Sequence, residues 1–211
     1  MRVTEIFFSI QGESSFMGRP CVFVRLTGCP LRCTWCDTAY AFHGGAERTL
    51  EEILNDVIGY GCPLVEITGG EPLAQPDVHL LIAALAERGM TVLIETSGAI
   101  DISPVDPRAT IIMDVKCPGS GMADRNRWEN IRHLKPHDEI KFVIKDRGDY
   151  EWAANAVSTH AFSERHTVLF SPVFGELNPQ TLAEWVLADR LPVRFQLQLH
   201  KLIWDPATHG V

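Results

Sequence analysis

The sequence predicts a single α/β domain over residues 1–211, built as a partial, incomplete TIM-type barrel. Short β-branched or apolar segments alternate with helical patterns, which is typical of parallel strands joined by crossover helices. The chain has 211 residues, whereas a complete eight-unit barrel needs about 250. Polar residues also concentrate just after the predicted strands, where barrels build their active sites. An open barrel with a site at one rim is therefore expected.

Eight strands are predicted from short runs rich in β-branched and apolar residues. In chain order they are Val3–Ile10, Cys21–Thr27, Leu64–Thr68, Thr91–Thr96, Thr110–Val115, Glu139–Ile144, Thr167–Phe170 and Arg194–Leu199. No stretch between them has the composition of a linker or a low-complexity tract, so we expect one compact domain.

Helical patterns separate several of these strands. Thr49-Leu50-Glu51-Glu52 is a capping-box sequence, and it opens a helix with an apolar face of Leu50, Ile53, Leu54, Val57 and Ile58. Asp77 opens a second helix that ends at Gly89 and turns Leu80, Leu81, Ala84 and Leu85 inward. Further helices are predicted over Arg127–Leu134, Tyr150–Ser158 and Pro179–Leu187, the last capped by Asn178.

Polar side chains follow the predicted strands at their carboxyl ends. They are Arg25 and Thr27, Thr68 to Glu71, Glu95 to Ser97, Asp114 to Lys116, Lys145 and Asp146, Ser171, and Gln198 to Lys201. Any one of these groups is explained by a strand that enters a polar turn. Because the carboxyl ends of barrel strands meet at one rim, the whole set predicts a shared site.

Charge and composition limit the class of function. A formal net charge of −8 argues against nucleic acid or an anionic membrane as partner, since both select clustered Lys and Arg. A small molecule is favoured instead. No apolar run has membrane-spanning length and no basic leader precedes Val3, so we expect a cytoplasmic protein. In a reducing compartment, the six cysteines favour metal or cluster binding over disulfides.

Cys29, Cys33 and Cys36 form a C-x3-C-x2-C run that holds three thiolates on one loop and supplies no fourth. A cubane iron–sulfur cluster bound this way keeps one iron open for a non-protein ligand, which indicates chemistry rather than electron transfer alone. A structural zinc site closes with four ligands, and the spare candidates His43 and Cys62 lie outside the usual pair spacing. The spacing favours the open cluster, with a closed zinc or electron-transfer module as the alternative.

The segment Thr68-Gly69-Gly70-Glu71-Pro72 ends a strand with two adjacent glycines, which let the backbone approach a ligand closely. Beside a cysteine loop it indicates a site for the amino group of an amino-acid-like ligand. The sequence contains no H-E-x-x-H, G-x-S-x-G or Walker pattern, so zinc-hydrolase, serine-hydrolase and P-loop chemistry find no support.

C-x3-C-x2-C followed by T-G-G-E-P resembles the radical S-adenosylmethionine (SAM) superfamily, in which SAM chelates the open iron of a [4Fe-4S] cluster. More narrowly, seven segments resemble the 7-carboxy-7-deazaguanine synthase family in order and spacing. They are Ile10–Glu13, Phe23–Arg25, Gly28–Pro30, Trp35–Thr38, Ile67–Pro72, Glu95–Gly98 and His200–Lys201. Between Gly119 and Leu169 the similarity is weaker, and no role is carried over there.

The resemblance implies a radical SAM barrel and a lyase reaction. In this family a reduced cluster cleaves SAM to a 5′-deoxyadenosyl radical, which abstracts hydrogen from C6 of 6-carboxy-5,6,7,8-tetrahydropterin. Ring contraction and loss of ammonia then give 7-carboxy-7-deazaguanine, the precursor of queuosine and other 7-deazapurines. The protein's part is to hold C6 beside the radical carbon and to exclude water.

The resemblance also implies roles for individual residues. Cys29, Cys33 and Cys36 would hold the cluster, and Thr38 would be a ligand of Mg²⁺, which prefers oxygen. SAM would contact Gly70, Ser97, Asp114, Val115, Lys116, Ser171, Pro172, Val173 and Phe174. The pterin would be held by Ile10, Gln11, Gly12, Glu13, Arg25 and Thr68, and by a tail that brings the carboxylate of Val211 to its guanidine-like edge. Arg25, a planar donor fork, is the expected partner of the substrate carboxylate.

A glycyl-radical-enzyme activating protein of the same superfamily is the alternative reading, but its substrate is a protein backbone. Gln11, Arg25 and Thr38 form a set that suits a small anionic pterin better. The expected partners are the pterin substrate and a flavodoxin-like or ferredoxin-like reductant. A homodimer is expected because an open barrel exposes a sheet edge.

Overall fold

The computed structural model describes all residues from 1 to 211, and nine strands form one sheet. The strands are β1 (Arg2–Ile10), β2 (Pro20–Leu26), β3 (Ala46–Glu47), β4 (Leu64–Gly69), β5 (Thr91–Thr96), β6 (Thr110–Asp114), β7 (Glu139–Ile144), β8 (Thr167–Pro172) and β9 (Arg194–Phe195). Their order is β3-β1-β2-β4-β5-β6-β7-β8-β9. All neighbours from β2 to β9 are parallel, whereas β1 is antiparallel to both β2 and β3. The sheet does not close, as predicted for an incomplete barrel.

Five α-helices accompany the sheet: α1 (Leu50–Gly59), α2 (Val78–Glu87), α3 (Arg147–Thr159), α4 (Pro179–Ala188) and the short α5 (His200–Ile203). The predicted capping box of α1 is confirmed, because Thr49 Oγ1 accepts from the Glu52 amide and the Glu52 carboxylate accepts from the Thr49 amide. Asn178 caps α4 through Oδ1, which accepts from the Gln180 amide at 2.9 Å. No helix is long and apolar enough to span a membrane.

Some predicted elements were wrong in extent or type. Helix α3 starts at Arg147 rather than Tyr150, because Asp146 Oδ1 accepts from the Asp149 amide and caps it earlier. The stretch predicted as a helix over Arg127–Leu134 is a 3₁₀ turn at Trp128–His133. Strand β9 covers only Arg194–Phe195 instead of Arg194–Leu199, since the chain then turns inward and the Leu199 amide donates to the Gly12 carbonyl.

The two faces of the sheet differ sharply in chemistry. The outer face and the helices build the main core, in which Val65, Ile67, Val92 and Ile94 are buried with the inner faces of α1 and α2. Two residues predicted on those inner faces are instead exposed, Ile58 to 48% and Leu80 to 61%. The inner face carries a small apolar layer near the amino ends of the strands: Phe7, Cys21, Phe23, Leu64, Leu93 and Ile112. Since side chains alternate along a strand, the next inward residues on β4, β5 and β6 are Glu66, Glu95 and Asp114.

The segment after β1 enters the barrel from the opposite end to the other loops. Ile10 pairs with Pro20, the first residue of β2, so the loop Gln11–Arg19 lies at the amino ends of the parallel strands. Backbone bonds between Gln11 and Arg19 and between Gly18 and Gln11, both 2.8 Å, close this loop. The Ser15 amide donates to the Glu139 carboxylate at the start of β7. The loop therefore crosses the floor of the barrel and sends its first residues into the lumen.

Candidate active site

One cavity of about 500 Å³ brings together most of the residues predicted from the sequence. Lining it are Ile10, Gln11, Gly12, Glu13, Arg25, Cys29, Cys33, Cys36, Thr38, Thr68, Gly70, Ser97, Asp114, Lys116, Val173, Phe174 and Val211. Val115, Ser171 and Pro172 do not line it, although all three are buried beside it. Val115 turns away because side chains alternate after β6, and its amide donates to the Lys141 carbonyl at 2.8 Å. The roles of these three residues stay predictions.

The cysteine loop follows β2 and is fixed from both sides. The Gly28 amide donates to the Ala41 carbonyl at 2.8 Å, and the Thr34 hydroxyl donates to the Gly119 carbonyl at 2.9 Å. All three cysteines of the run are free thiols that line the cavity, and so does Trp35 between them. Burial raises the pKa of Cys29 and of Cys33. No group of three or more His, Cys, Asp or Glu side chains surrounds a position suited to a single metal ion.

The glycine pair after β4 makes room for this loop. A Cβ on Gly70 would meet the Gly28 carbonyl oxygen and would lie 2.8 Å from Cys29 Cβ. Only glycine lets the two segments approach so closely, and the Glu71 amide then donates to the Gly28 carbonyl at 2.8 Å. Three free thiols that open on a cavity beside bare backbone are a donor set that fits an iron–sulfur cluster with a small chelating ligand.

Glu71 is fully buried and holds the ends of β4 and β5 together. Its carboxylate accepts hydrogen bonds from the Thr96 hydroxyl at 2.9 Å, the Ser97 amide at 2.8 Å and the Leu73 amide at 3.0 Å. Because buried carboxylates are costly unless their oxygens are satisfied, this network fixes the Glu71 carboxylate. It thereby fixes Ser97 and Gly70 on the cavity wall.

Arg25 lies on β2 at the wall of the cavity. Its Nε donates to Glu5 Oε1 at 2.8 Å, and the Tyr40 hydroxyl donates to the same oxygen at 2.7 Å. The side chain of Arg25 is 14% exposed. One edge of the guanidinium is thus anchored by β1, and the arrangement suits capture of an anionic group by the terminal nitrogens.

The C-terminal segment covers the same side of the cavity. Leu199 is bonded to Gly12, whose missing side chain leaves room for the His200 ring, and Gln198 Nε2 donates to Glu13 Oε1 at 3.0 Å. Lys201 Nζ lies 2.5 Å from Asp37 Oδ2, directly beside the cysteine loop. These contacts bring both ends of the chain to one site.

Besides Glu176, two charged residues of this cavity, Glu66 and Lys141, were not predicted from the sequence. Each stands in the middle of an apolar strand, in Val65-Glu66-Ile67 and Ile140-Lys141-Phe142. That position is itself the available signal, since a charge in a buried strand must face a polar lumen or a partner. Gln11 Nε2 donates to the Glu66 carboxylate. Lys141 Nζ lies 2.8 Å from Glu13 Oε2, bonds the Glu95 carboxylate, and is 3.6 Å from Asp114 Oδ2.

The buried charges shift one another's proton affinities in opposite directions. Burial acts to raise the pKa of Glu13, but the charges of Lys141 and His200 and the hydrogen bonds from Lys141 and Gln198 together lower it to about 2. Burial, with the charges of Glu95 and Glu13, raises the pKa of Glu66 well above its usual range. The pKa of Glu95 is also raised by burial, against the pull of Lys141. The cavity therefore holds an ionised Glu13 next to carboxyl groups that retain protons more readily.

Comparison with known proteins places this site in a family. The model of the radical SAM superfamily matches residues 23–108. A 7-carboxy-7-deazaguanine synthase from Chlorobaculum tepidum is 46% identical over 214 residues, covering 100% of this chain and 97% of that protein. One from Koribacter versatilis is 48% identical over 227 residues and covers 100% of both. The crystal structure of QueE from Escherichia coli is similar in fold, with a TM-score of 0.77, 24% identity and 94% of each chain covered.

These relatives do not favour a glycyl-radical activating protein. The structural match agrees with the incomplete barrel that the alternation of strands and helices predicts. The superfamily implies a [4Fe-4S] cluster and SAM as cofactors, which the thiol-lined cavity fits. The resemblance carried by the seven sequence segments is confirmed, and the chain belongs to the 7-carboxy-7-deazaguanine synthase family of radical SAM enzymes.

Proposed function

We propose that this chain is a carbon–nitrogen lyase that converts 6-carboxy-5,6,7,8-tetrahydropterin to 7-carboxy-7-deazaguanine with loss of ammonia, in queuosine and 7-deazapurine biosynthesis. The observation that carries the proposal is that one cavity joins the three thiols of the cysteine loop to Arg25 and Glu13. When bound, the cluster and SAM would supply the radical chemistry that removes hydrogen from C6 of the substrate.

The chain's own residues then bind, orient and exclude water. Cys29, Cys33 and Cys36 would hold the cluster. The remaining wall would hold SAM through Gly70, Ser97, Asp114, Val115, Lys116 and the segment Ser171–Phe174. Lys116 is positioned for this by an ion pair of 2.9 Å with Asp114, so the pair presents a donor and an acceptor side by side.

On the substrate side, Arg25 would bind the pterin carboxylate through its terminal nitrogens. Ile10, Gln11, Gly12, Glu13 and Thr68 would line the ring, with Glu13 accepting from ring N–H groups because it is ionised. Val211 would bring its carboxylate to the guanidine-like edge. Phe7 stacks on Phe23 at 4.9 Å between ring centroids, and both rings line the cavity, so the pocket has an apolar side that excludes water.

Thr38 would share a Mg²⁺ ion with substrate oxygens and water, as a hard cation prefers. Its hydroxyl oxygen lies 3.8 Å from Cys36 Sγ, so this candidate ligand stands beside the cysteine loop. An electron donor of flavodoxin or ferredoxin type and a homodimeric assembly complete the proposal.

The test is the product of the reconstituted enzyme. Protein loaded with iron and sulfide under anaerobic conditions is reduced and given SAM and the carboxylated tetrahydropterin, and the product mass is measured. Loss of one ammonia with formation of 7-carboxy-7-deazaguanine supports the proposal. The matched control is Cys33→Ala, which should fold yet hold no stable cluster, because two thiolates leave a second iron exposed. SAM cleavage without a deazapurine product would refute the substrate assignment.

A further inference from the structure

Lys141 occupies an unusual position in the lumen. It is the inward residue in the middle of β7, and its side chain is only 4% exposed. Its ammonium group contacts carboxylates from three separate elements: Glu13 from the loop after β1, Glu95 from β5 and Asp114 from β6. An unpaired buried charge is strongly destabilising. The three acidic partners are therefore what allows the Lys141 ammonium group to be buried.

The acidic groups around Lys141 do not each have a basic partner of their own. Asp114 already has Lys116 as its closer partner, at 2.9 Å against 3.6 Å to Lys141. Lys141 is thus shared between Glu13 and Glu95, and one positive charge serves two carboxylates. Glu66 stands nearby with its own donor, Gln11. Besides Lys141, the charge of His200 acts on Glu13, and Glu66 is acted on by Glu95, Glu13, Lys141 and Arg25.

Glu13 is also held from a second side. Gln198 donates to Oε1 and Lys141 to Oε2, at 3.0 and 2.8 Å. Both carboxylate oxygens are therefore fixed, one by the C-terminal segment and one by β7. If Glu13 accepts hydrogen bonds from the pterin, its carboxylate must be held in one orientation. Lys141 fixes the Oε2 atom and thereby controls both the direction and the charge of that carboxylate.

We infer that Lys141 is a positioning residue of the lyase site, which keeps Glu13 ionised and aimed at the pterin while holding Glu95 in reach of the same ligand. The inference rests on the proposed function for the identity of the ligand. The charge relation between Lys141 and Glu13 does not depend on that function and is measurable without turnover.

The sign of the expected effect follows from the two opposing influences on Glu13. Burial favours the protonated carboxyl group, and Lys141 favours the carboxylate. Lys141→Met removes the attraction of Lys141 and leaves burial opposed only by His200 and Gln198, so the pKa of Glu13 must rise. An opposite charge at this distance typically lowers a carboxyl pKa by about 1–3 units. The kcat/KM profile of Lys141→Met should accordingly show an acid limb set by Glu13 at a pH where the wild-type carboxylate is fully ionised.

The first measurement is an infrared titration of the cluster-loaded protein. The absorption of protonated carboxyl groups is followed against pH, and Glu13→Gln identifies the band that belongs to Glu13. In Lys141→Met this band should persist to higher pH, whereas Lys141→Arg should restore the wild-type titration because it keeps the charge. An unchanged titration of Glu13 in a folded Lys141→Met protein would overturn the inference.

The second measurement separates positioning from stability. In Lys141→Met the KM for the pterin should rise about tenfold or more, with iron content and the dissociation constant of SAM unchanged. Lys141→Arg should show the wild-type pH profile but retain part of the KM increase, since a fork cannot reproduce the geometry of an ammonium. If Lys141→Met does not fold, Lys141→Gln, which keeps a hydrogen-bond donor without the charge, is the second variant. An unchanged KM together with an unchanged pH profile in Lys141→Gln would contradict a positioning role.

Lys135→Met is the matched control. Lys135 also pairs with a buried carboxylate, Asp138, at 2.9 Å, and neither residue lines the cavity. It should alter stability without changing KM or the pH profile. Wild-type protein that binds the pterin but forms no deazapurine would refute the proposed function, and the infrared titration would still test Lys141.

Discussion

The imidazole ring of His209 stacks on the phenol ring of Tyr40, with 3.9 Å between the centroids and 18° between the planes. Tyr40 in turn donates to Glu5, and Glu5 accepts from Arg25. A continuous set of contacts therefore runs from the C-terminal tail to the guanidinium on the cavity wall. These contacts hold the tail near Arg25, and the role of Val211 at the substrate stays a prediction.

The first prediction concerns that stack. His209→Ala should raise the KM for the pterin by about two- to tenfold, since an aromatic pair contributes about 0.5–1.5 kcal/mol beyond its buried area. Iron content and SAM affinity should not change. Steady-state kinetics of the reconstituted enzyme measure the effect, with Thr208→Ala as control because Thr208 is exposed like His209 but has no ring to stack on Tyr40. Equal KM values in both variants would assign the tail to the surface.

Arg25→Lys should not be a neutral change. Lysine offers a point charge where arginine can grip a carboxylate with two parallel donors and still bond Glu5 through Nε. The KM for the pterin should rise about tenfold or more, because hydrogen bonds to charged groups are worth about 1.5–3 kcal/mol. A substrate analogue without the carboxylate should bind both proteins alike. Arg48→Lys, which alters a surface pair with Asp56, is the control.

Thr38→Val should reduce turnover and its stimulation by magnesium, because the variant keeps the shape of the side chain and loses the oxygen ligand. Cleavage of SAM without substrate should continue at the wild-type rate. Rates measured across a magnesium titration decide the matter. Thr167→Val, the same change at an exposed position outside the cavity, should keep the magnesium dependence, and a Thr38 variant that also keeps it would remove the ion from this site.

Gly70→Ala should disturb the cysteine loop rather than the barrel. The new methyl group would collide with the Gly28 carbonyl and crowd Cys29, and overpacking of this kind costs about 1–3 kcal/mol. Iron per chain after reconstitution should fall and SAM binding should weaken. Gly59→Ala meets no atom within 4 Å and serves as the control. Full iron content in Gly70→Ala would mean that the loop has room to shift.

The sequence predicted the parallel strands well because each is short, apolar and bounded by polar turns, so local composition alone marks it. It predicted the rim for the same reason, since Arg25 and Thr68 end neighbouring strands and pair in register. Strand β9 was predicted too long because Leu197 and Leu199 continue the apolar pattern, while the bond from Leu199 to Gly12 bends the chain inward. A long-range bond of that kind leaves no local pattern in the sequence.

Lys141 and Glu66 were missed for a different reason. The prediction looked for polar residues at strand ends, whereas these two lie one or more residues earlier, on the inner face of the lumen. Alternation along each strand would have placed them there, but their partners come from distant segments, and Lys141 is 128 residues from Glu13. Pairing at that separation follows only from the curved, barrel-like arrangement of the strands around the lumen.

Different parts of the chain supply different parts of the site. Residues assigned to the cluster and SAM come mostly from the successive parallel strands of the middle, whereas Gln11, Glu13 and Gln198 come from near the two ends of the chain and meet in the lumen. Mutations or grafts confined to those end segments would reshape the ligand pocket and leave the radical-generating framework intact. A new substrate could therefore be acquired, in evolution or by design, by exchanging the two end segments. The middle of the chain would stay unchanged.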